Sequence, residues 1–134
     1  MELSEVIKMV GYSANIEQET KKNECYRKVL FTGEKMQLVV MNLKPKEDIP
    51  LEVHPETDQF IRIEEGEASV KIDGEKFDLK DDDVVIIPAG KEHYVKNVSK
   101  DKELKLYTIY TPPEHHPGTI HQTKADAVAD KHHD

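Results

Sequence analysis

The sequence predicts an all-β fold, a sandwich or a closed barrel of two facing antiparallel sheets, and three features support this. From Cys25 onward the chain divides into short β-prone runs, which turn signals separate at regular intervals. The segment from Ala68 to Phe77 alternates apolar and polar residues around an Asp-Gly pair, a pattern typical of a β-hairpin with a type I′ turn. Pro112 and Pro113 then end the pattern, because proline is poorly tolerated inside a sheet.

Eight strands are predicted within this region. They span Tyr26 to Phe31, Gln37 to Leu43, Phe60 to Glu64, Ala68 to Ile72, Lys76 to Leu79, Val84 to Ile87, Tyr94 to Val98 and Leu104 to Tyr110. Side chains alternate between the two faces of a strand, so the apolar members indicate which face is inward. The predicted inner faces carry Gln59, Ile61 and Ile63 on one strand, and Leu104, Leu106, Thr108 and Tyr110 on another.

The ends of the chain carry weak helical signals. Asn15 is expected to cap a helix from Ile16 to Lys22, Ser4 to cap a helix from Glu5 to Met9, and a further short helix is expected at Thr123 to Ala129. We predict one domain over residues 1–134, with an N-terminal segment 1–24, a barrel at about 25–112 and a polar tail 113–134.

The tail is rich in histidine. His115, His116 and His121 could fold over the mouth of the barrel, but we expect them to be solvated. His132 and His133 are expected to be disordered, since chain termini usually are.

The composition limits the possible partners. Of the 134 residues, 37% are hydrophobic and 34% charged, a balance typical of a soluble globular domain. The net charge is −8 without a basic cluster, which argues against nucleic acid as a partner.

The longest apolar run, Val84 to Ile87, cannot span a bilayer, and the acidic N-terminus does not resemble a secretory signal. With Cys25 as the single cysteine, no internal disulfide can form, and we expect a cytoplasmic protein.

Three residues have the chemistry of metal ligands. Glu52 and His54 lie two positions apart, so on an extended strand both point to the same face. His93 comes from a separate strand, after a Pro-x-Gly turn. Imidazole and carboxylate groups that converge inside a barrel suit a first-row transition metal, although a single histidine is more often a surface or hydrogen-bonded residue.

Two longer patterns surround these residues. Pro88, Gly90, His93 and Asn97 have the spacing Pro-x-Gly-x2-His-x3-Asn, with Asp82 in place of a leading glycine. Glu52, His54, Gln59 and Gly66 fall in the frame of His-x-His-x3–4-Glu-x6-Gly. These segments resemble the two motifs of the cupin family, and the tail resembles small bacterial cupins of the mannose-6-phosphate isomerase-like kind. The resemblance implies a double-stranded β-helix, the cupin jelly-roll barrel, with one metal ion in its mouth.

The resemblance also implies a ligand set. Glu52, His54, Gln59 and His93 occupy the four ligand positions, with the carboxylate moved from the last position of the first motif to its first. Two histidines and one carboxylate are the ligand class of non-haem Fe(II) sites, and Mn, Ni and Zn are equally possible. Asp58 would replace Gln59 if the register slipped by one residue. Alternatively the site has lost its metal, and Glu52 only hydrogen-bonds a histidine.

Several functions are compatible with such a barrel. The first is a metal-dependent enzyme, an isomerase, lyase or oxygenase, acting on a small polar molecule such as a sugar derivative, with the metal as Lewis acid. Tyr110 is then a candidate general acid or base, although it could equally be a packed aromatic residue. The alternatives are a non-catalytic module that binds a small molecule, and a structural dimer with a vestigial site.

Two further expectations concern the surface and the interior. Val84 to Ile87 is apolar on both faces and Phe60 is predicted to point outward, so we expect a homodimer or cover by the N-terminal segment. No lysine or arginine is predicted on the inner face near the site, so mannose 6-phosphate is not expected to be the substrate.

Overall fold

The computed structural model describes residues 10–130, which form ten strands and two short helices. In chain order the elements are α1 (Ile16–Lys22), β1 (Arg27–Thr32), β2 (Gln37–Leu43), β3 (Asp48–Glu52), β4 (Asp58–Glu65), β5 (Ala68–Ile72), β6 (Glu75–Leu79), β7 (Val84–Ile87), β8 (His93–Asn97), β9 (Leu104–Thr111), β10 (Ile120–His121) and α2 (Lys124–Ala129). The helix expected at Glu5 to Met9 and the expectation for His132 and His133 lie outside the described residues.

The strands form two antiparallel sheets. One has six strands in the order β10-β1-β2-β9-β4-β7, and the other has four in the order β3-β8-β5-β6. This arrangement confirms the predicted all-β fold and agrees with a jelly-roll barrel. All eight predicted strands are present, within about two residues at their ends.

Local sequence signals account for the turns and caps. The β5–β6 hairpin turns at Asp73 and Gly74, both with positive φ (48° and 85°), as a type I′ turn requires. The Asn15 side chain accepts a hydrogen bond from the Gln18 backbone N–H at 3.0 Å and begins α1. Thr123 begins α2 through a capping box, so both of these predicted helices are confirmed.

The core lies between the inner faces of the two sheets, as the alternation predicts. Ile61 and Ile63 of β4 and Leu106 of β9 are fully buried, and Thr108 is paired with Ile61 in the sheet. On β7, Val85 and Ile87 are buried, whereas Val84 and Ile86 are 48% and 61% exposed. Within residues 10–130, no helix is long and apolar enough to cross a membrane.

Two differences from the sequence-based expectations concern the strands and the tail. Strands β3 and β10 were not predicted, because β3 contains Pro50 and β10 has only two residues. The expectation that the tail histidines are solvated is wrong for two of them. His115 and His121 are 6% and 4% exposed, because the tail folds back onto β1 and β2, and His116 is exposed as expected.

Candidate metal centre

Two neighbouring strands bring the first and last predicted ligands together. Glu52 ends β3 and His93 begins β8, and the two residues are paired in the sheet register. His54 lies two residues beyond the end of β3, where its backbone carbonyl accepts a hydrogen bond from the Gly90 N–H at 2.9 Å. Gly90 has a φ of +84°, which glycine adopts without a steric penalty, so the turn before His93 can approach this carbonyl.

The three side chains form one compact cluster. One ligand atom from each of Glu52, His54 and His93 lies within 4.8 Å of the others. Glu52 Oε1 is 3.2 Å from His54 Nε2 and 3.6 Å from His93 Nε2. The histidine side chains are 2% exposed and the Glu52 side chain 18%. The strand geometry therefore produces the convergence that the sequence indicated.

Oxygen atoms lie behind both imidazole rings. His93 Nδ1 donates a hydrogen bond to the Lys91 carbonyl oxygen at 3.0 Å. His54 Nδ1 lies 3.3 Å from Glu114 Oε1, which is an ion-pair distance without hydrogen-bond geometry. Both Nε2 atoms face Glu52, and a backbone carbonyl or carboxylate behind the ring is the usual support of a metal-binding histidine. Glu114 was not identified from the sequence, since it lies in the tail without a motif around it.

The charges in the cluster are coupled. Burial alone would raise the pKa of the Glu52 carboxyl, but the hydrogen bond with His54 and the close approach of His93 hold that pKa well below its usual range. Burial likewise works to lower the pKa of His54, yet the hydrogen bond and charge of Glu52, with the Glu114 carboxylate, raise it. Glu52 is therefore ionised at neutral pH, which is the state that binds a cation.

Gln59, the fourth predicted ligand, lies on the inner face of β4, opposite Tyr110 in the register. Its Nε2 donates to Thr108 Oγ1 at 3.1 Å, and its Oε1 is buried without a hydrogen-bond partner among the described residues. The competing candidate, Asp58, is exposed and accepts a hydrogen bond from the Ala89 N–H at 2.8 Å. The predicted register is therefore correct, and Gln59 remains a predicted ligand.

The donor set fits a divalent transition metal. Two imidazoles and one carboxylate are typical ligands of such ions. In the described part of the chain, His93 Nε2 and Gln59 Oε1 are both buried and lack a hydrogen-bond partner, which is costly unless something else binds them.

Two aromatic side chains of the interior continue the cluster. Tyr110 is 1% exposed, and its ring meets His54 edge-on at 5.8 Å and His115 at 5.1 Å. Burial raises the pKa of the Tyr110 phenol, so the group is protonated at neutral pH. Burial lowers the pKa of His115 to about 3, and the nearby Arg27 charge contributes, so this ring is neutral.

A buried arginine contradicts the expectation that no basic side chain faces the interior. Arg27 is 2% exposed and is paired in the sheet with the core residue Met41. Its Nη1 lies 3.2 Å from His121 Nδ1, and His121 Nε2 lies 2.8 Å from Asp130 Oδ2. Alternation could not predict this orientation, since the adjacent residues Tyr26 and Arg27 are both buried. A phosphosugar substrate can therefore no longer be excluded on the ground that the interior lacks a basic side chain.

Asn97, the last residue of the second motif, has a structural position. It is fully buried, and its Nδ2 lies 2.9 to 3.1 Å from the carbonyl oxygens of Leu43, Lys44 and Lys102. Its Oδ1 accepts a hydrogen bond from the Ser99 N–H at 3.0 Å. The residue thus connects the end of β2 and the β2–β3 loop with the β8–β9 loop, which is a structural role.

Comparisons with known proteins agree with this geometry. A family model described as the cupin domain matches residues 39–110. The chain is 46% identical over 124 residues to YrkC of Bacillus subtilis (strain 168), covering 88% of this chain and 66% of that protein. It is 48% identical over 113 residues to L612 of Acanthamoeba polyphaga mimivirus, covering 81% and 70%. The chain thus spans about two thirds of the length of these curated relatives. The crystal structure of BH2720 from Bacillus halodurans matches with a TM-score of 0.86 and 43% identity, over 89% of this chain and 94% of that one.

Proposed function

Because the chain belongs to the cupin family, we propose that it binds one divalent transition metal and uses it to bind or transform a small polar molecule. The observation that carries the proposal is the convergence of Glu52, His54 and His93, whose ligand atoms lie within 4.8 Å of one another. Fe, Mn, Ni and Zn all accept such a donor set.

Each residue of the set has a distinct role in the proposal. His54 and His93 bind through Nε2, because their Nδ1 atoms face Glu114 and the Lys91 carbonyl. Glu52 contributes the negative charge, and Gln59 contributes a weak amide oxygen. A bound ion would act as a Lewis acid on an oxygen of the small molecule.

Tyr110 is the proposed general acid of an isomerase, lyase or oxygenase reaction. Its ring contacts that of His54, and its buried phenol is protonated, so it can donate a proton but is a poor base. This role requires that the phenol reach the substrate.

A second candidate is a non-catalytic cupin, either a small-molecule-binding module or a structural dimer with a vestigial site. The contact between Glu52 Oε1 and His54 Nε2 at 3.2 Å favours it, because this pair is satisfied without a metal. Metal content separates the two candidates.

We also propose that the protein is a homodimer and resides in the cytoplasm. Val84 and Ile86 are exposed on β7, an edge strand whose only neighbour in the described sheet is β4. The free thiol of Cys25 suits a reducing compartment. Light scattering at micromolar concentration is expected to give twice the monomer mass, and a monomer would contradict the dimer.

Elemental analysis of protein purified without an affinity tag tests the metal site. Wild type is expected to hold about one transition metal ion per chain, and His93→Ala is expected to hold almost none. His116→Ala, which changes an exposed histidine of the tail, serves as the matched control and should retain the metal. Equal metal in His93→Ala and wild type would place the ion elsewhere, and a metal-free wild type that does not take up metal would favour the vestigial site.

A further inference from the structure

We infer that the small molecule bound by this barrel is a short carboxylate, with its anionic end bound by Arg27 and a second oxygen directed at the Glu52–His54–His93 cluster. Only the position of the second oxygen rests on the proposed metal function. The contact of the anionic end with Arg27 does not require a metal.

The first observation is a buried cation with unused donors. Arg27 is 2% exposed, and its Nε–H has no hydrogen-bond partner among residues 10–130. Its guanidinium makes one hydrogen-bond contact in this part of the chain, from Nη1 to His121 Nδ1, and no ion pair. The Tyr26 ring, 5.4 Å from the guanidinium carbon, compensates only part of the cost of burying the charge.

The second observation is a cavity next to this cation. It has a volume of about 110 Å³, and Arg27 and Glu52 both line it, together with Ile49, Leu51 and Ala127. The cavity opens to solvent beside Leu51, which is 60% exposed, so a small molecule can reach Arg27 from outside.

The third observation is the balance of charge. Among residues 10–130, Glu52 is the only acidic residue that lines the cavity, and its carboxylate already contacts both histidines. Arg27 reaches the Asp130 carboxylate only through the His121 ring, so its charge has no direct counter-charge in this part of the chain. An anionic ligand would supply it, and guanidinium binds carboxylates through charge-assisted hydrogen bonds.

Phosphate is the competing anion, since arginine binds it equally well. The apolar side chains of Ile49, Leu51 and Ala127 in the wall favour the less strongly charged carboxylate. Inorganic phosphate is therefore included in the test.

The test is isothermal titration calorimetry with glycolate, its neutral analogue glycolamide, and inorganic phosphate, on protein before and after metal removal by a chelator. The variant is Arg27→Gln, and the matched control is Arg62→Gln. Arg62 is the only other arginine of the chain and pairs with Asp82 on the surface at 2.9 Å. Arg27→Met, which has a similar length and no charge, serves in its place if Arg27→Gln does not fold, with the same expected result.

Glycolate is expected to bind wild type at least about tenfold more tightly than glycolamide, and this preference should disappear in Arg27→Gln but persist in Arg62→Gln. Metal removal should weaken glycolate binding without abolishing its dependence on Arg27. Equal binding of glycolate and glycolamide to wild type would overturn the inference whatever the variants do, and tighter binding of phosphate would overturn the choice of carboxylate. If the protein holds no metal but the Arg27-dependent preference for glycolate remains, the proposed metal function fails and the anion site stands.

Discussion

Replacing Glu114 by alanine tests whether the carboxylate behind His54 supports metal binding. Glu114 Oε1 lies 3.3 Å from His54 Nδ1, and its side chain is 13% exposed. The change removes the negative charge behind the imidazole, which raises the pKa of His54 and makes the ring a stronger donor to a metal. No ligand is removed, so the metal should still bind, but more weakly.

The magnitude follows from the length of this contact. Loss of a supporting group behind a metal-binding histidine costs about 10- to 100-fold in metal affinity. The distance of 3.3 Å is longer than the roughly 2.7 to 2.9 Å of a strong charge-assisted hydrogen bond, which places the effect in the lower part of that range. We expect metal affinity to fall about 10- to 30-fold, equivalent to about 1.4 to 2 kcal/mol.

Competition for Zn(II) with a chromophoric chelator measures this difference. Glu92→Ala is the matched control, because Glu92 is an exposed carboxylate next to His93 that does not contact either imidazole. The control should remain within about twofold of wild type, since an exposed charge acts only weakly through solvent. Equal affinities of Glu114→Ala and Glu92→Ala would show that Glu114 does not support His54.

Three further predictions concern the same centre. Gln59→Ala should weaken metal binding moderately, and Gln59→Glu should tighten it because it adds a carboxylate. If chelator competition gave Gln59→Ala the higher metal affinity of the two, Gln59 would be excluded as a ligand. The raised pKa of His54 means that its stabilising pairing with Glu52 is present below the ordinary value of 6.5 and is lost as pH rises through the folded value. The melting temperature of the metal-free protein should therefore fall from pH 6 to pH 9. That of the metal-loaded protein should rise over the same range, because protons stop competing with the metal for the histidines. The same pH dependence of the melting temperature with and without metal would refute this. Tyr110→Phe should leave metal content unchanged but, if turnover of a small polar molecule is found, reduce it by about 100-fold, and full activity would exclude Tyr110 as the acid.

The sequence predicted those features that depend on local pattern. The hairpin at Asp73 and Gly74, the inner face of β4 and the convergence of His54 with His93 all follow from alternation and from the spacing of two motifs. The inner face of β4 requires only that residues alternate between the two faces of a strand, the hairpin also requires its Asp-Gly turn, and the convergence of the ligands was implied by the resemblance to the cupin motifs. For this reason the candidate ligands could be identified without coordinates.

The features that the sequence did not predict depend on long-range packing. The orientation of Arg27 is set by its pairing with Met41 on β2 and His121 on β10, and neither partner is close in sequence. Glu114 reaches His54 only because the tail folds back, where Gln37 Oε1 accepts a hydrogen bond from the His115 backbone N–H at 3.0 Å. No short window of the sequence contains these contacts.

Strand β3 forms one edge of its sheet and is hydrogen-bonded only to β8 within the described sheets. It carries Pro50, which cannot donate a backbone hydrogen bond, and Leu51 is 60% exposed. Hydrogen bonds from Tyr26 and Tyr94 hold its first residue, Asp48, so we expect the other end, which carries Glu52, to open at a fraction of the free energy of global unfolding. Entry and release of an ion would then be controlled by the fraying of this single strand, so that the exchange rate of the metal and the overall stability of the protein can change independently.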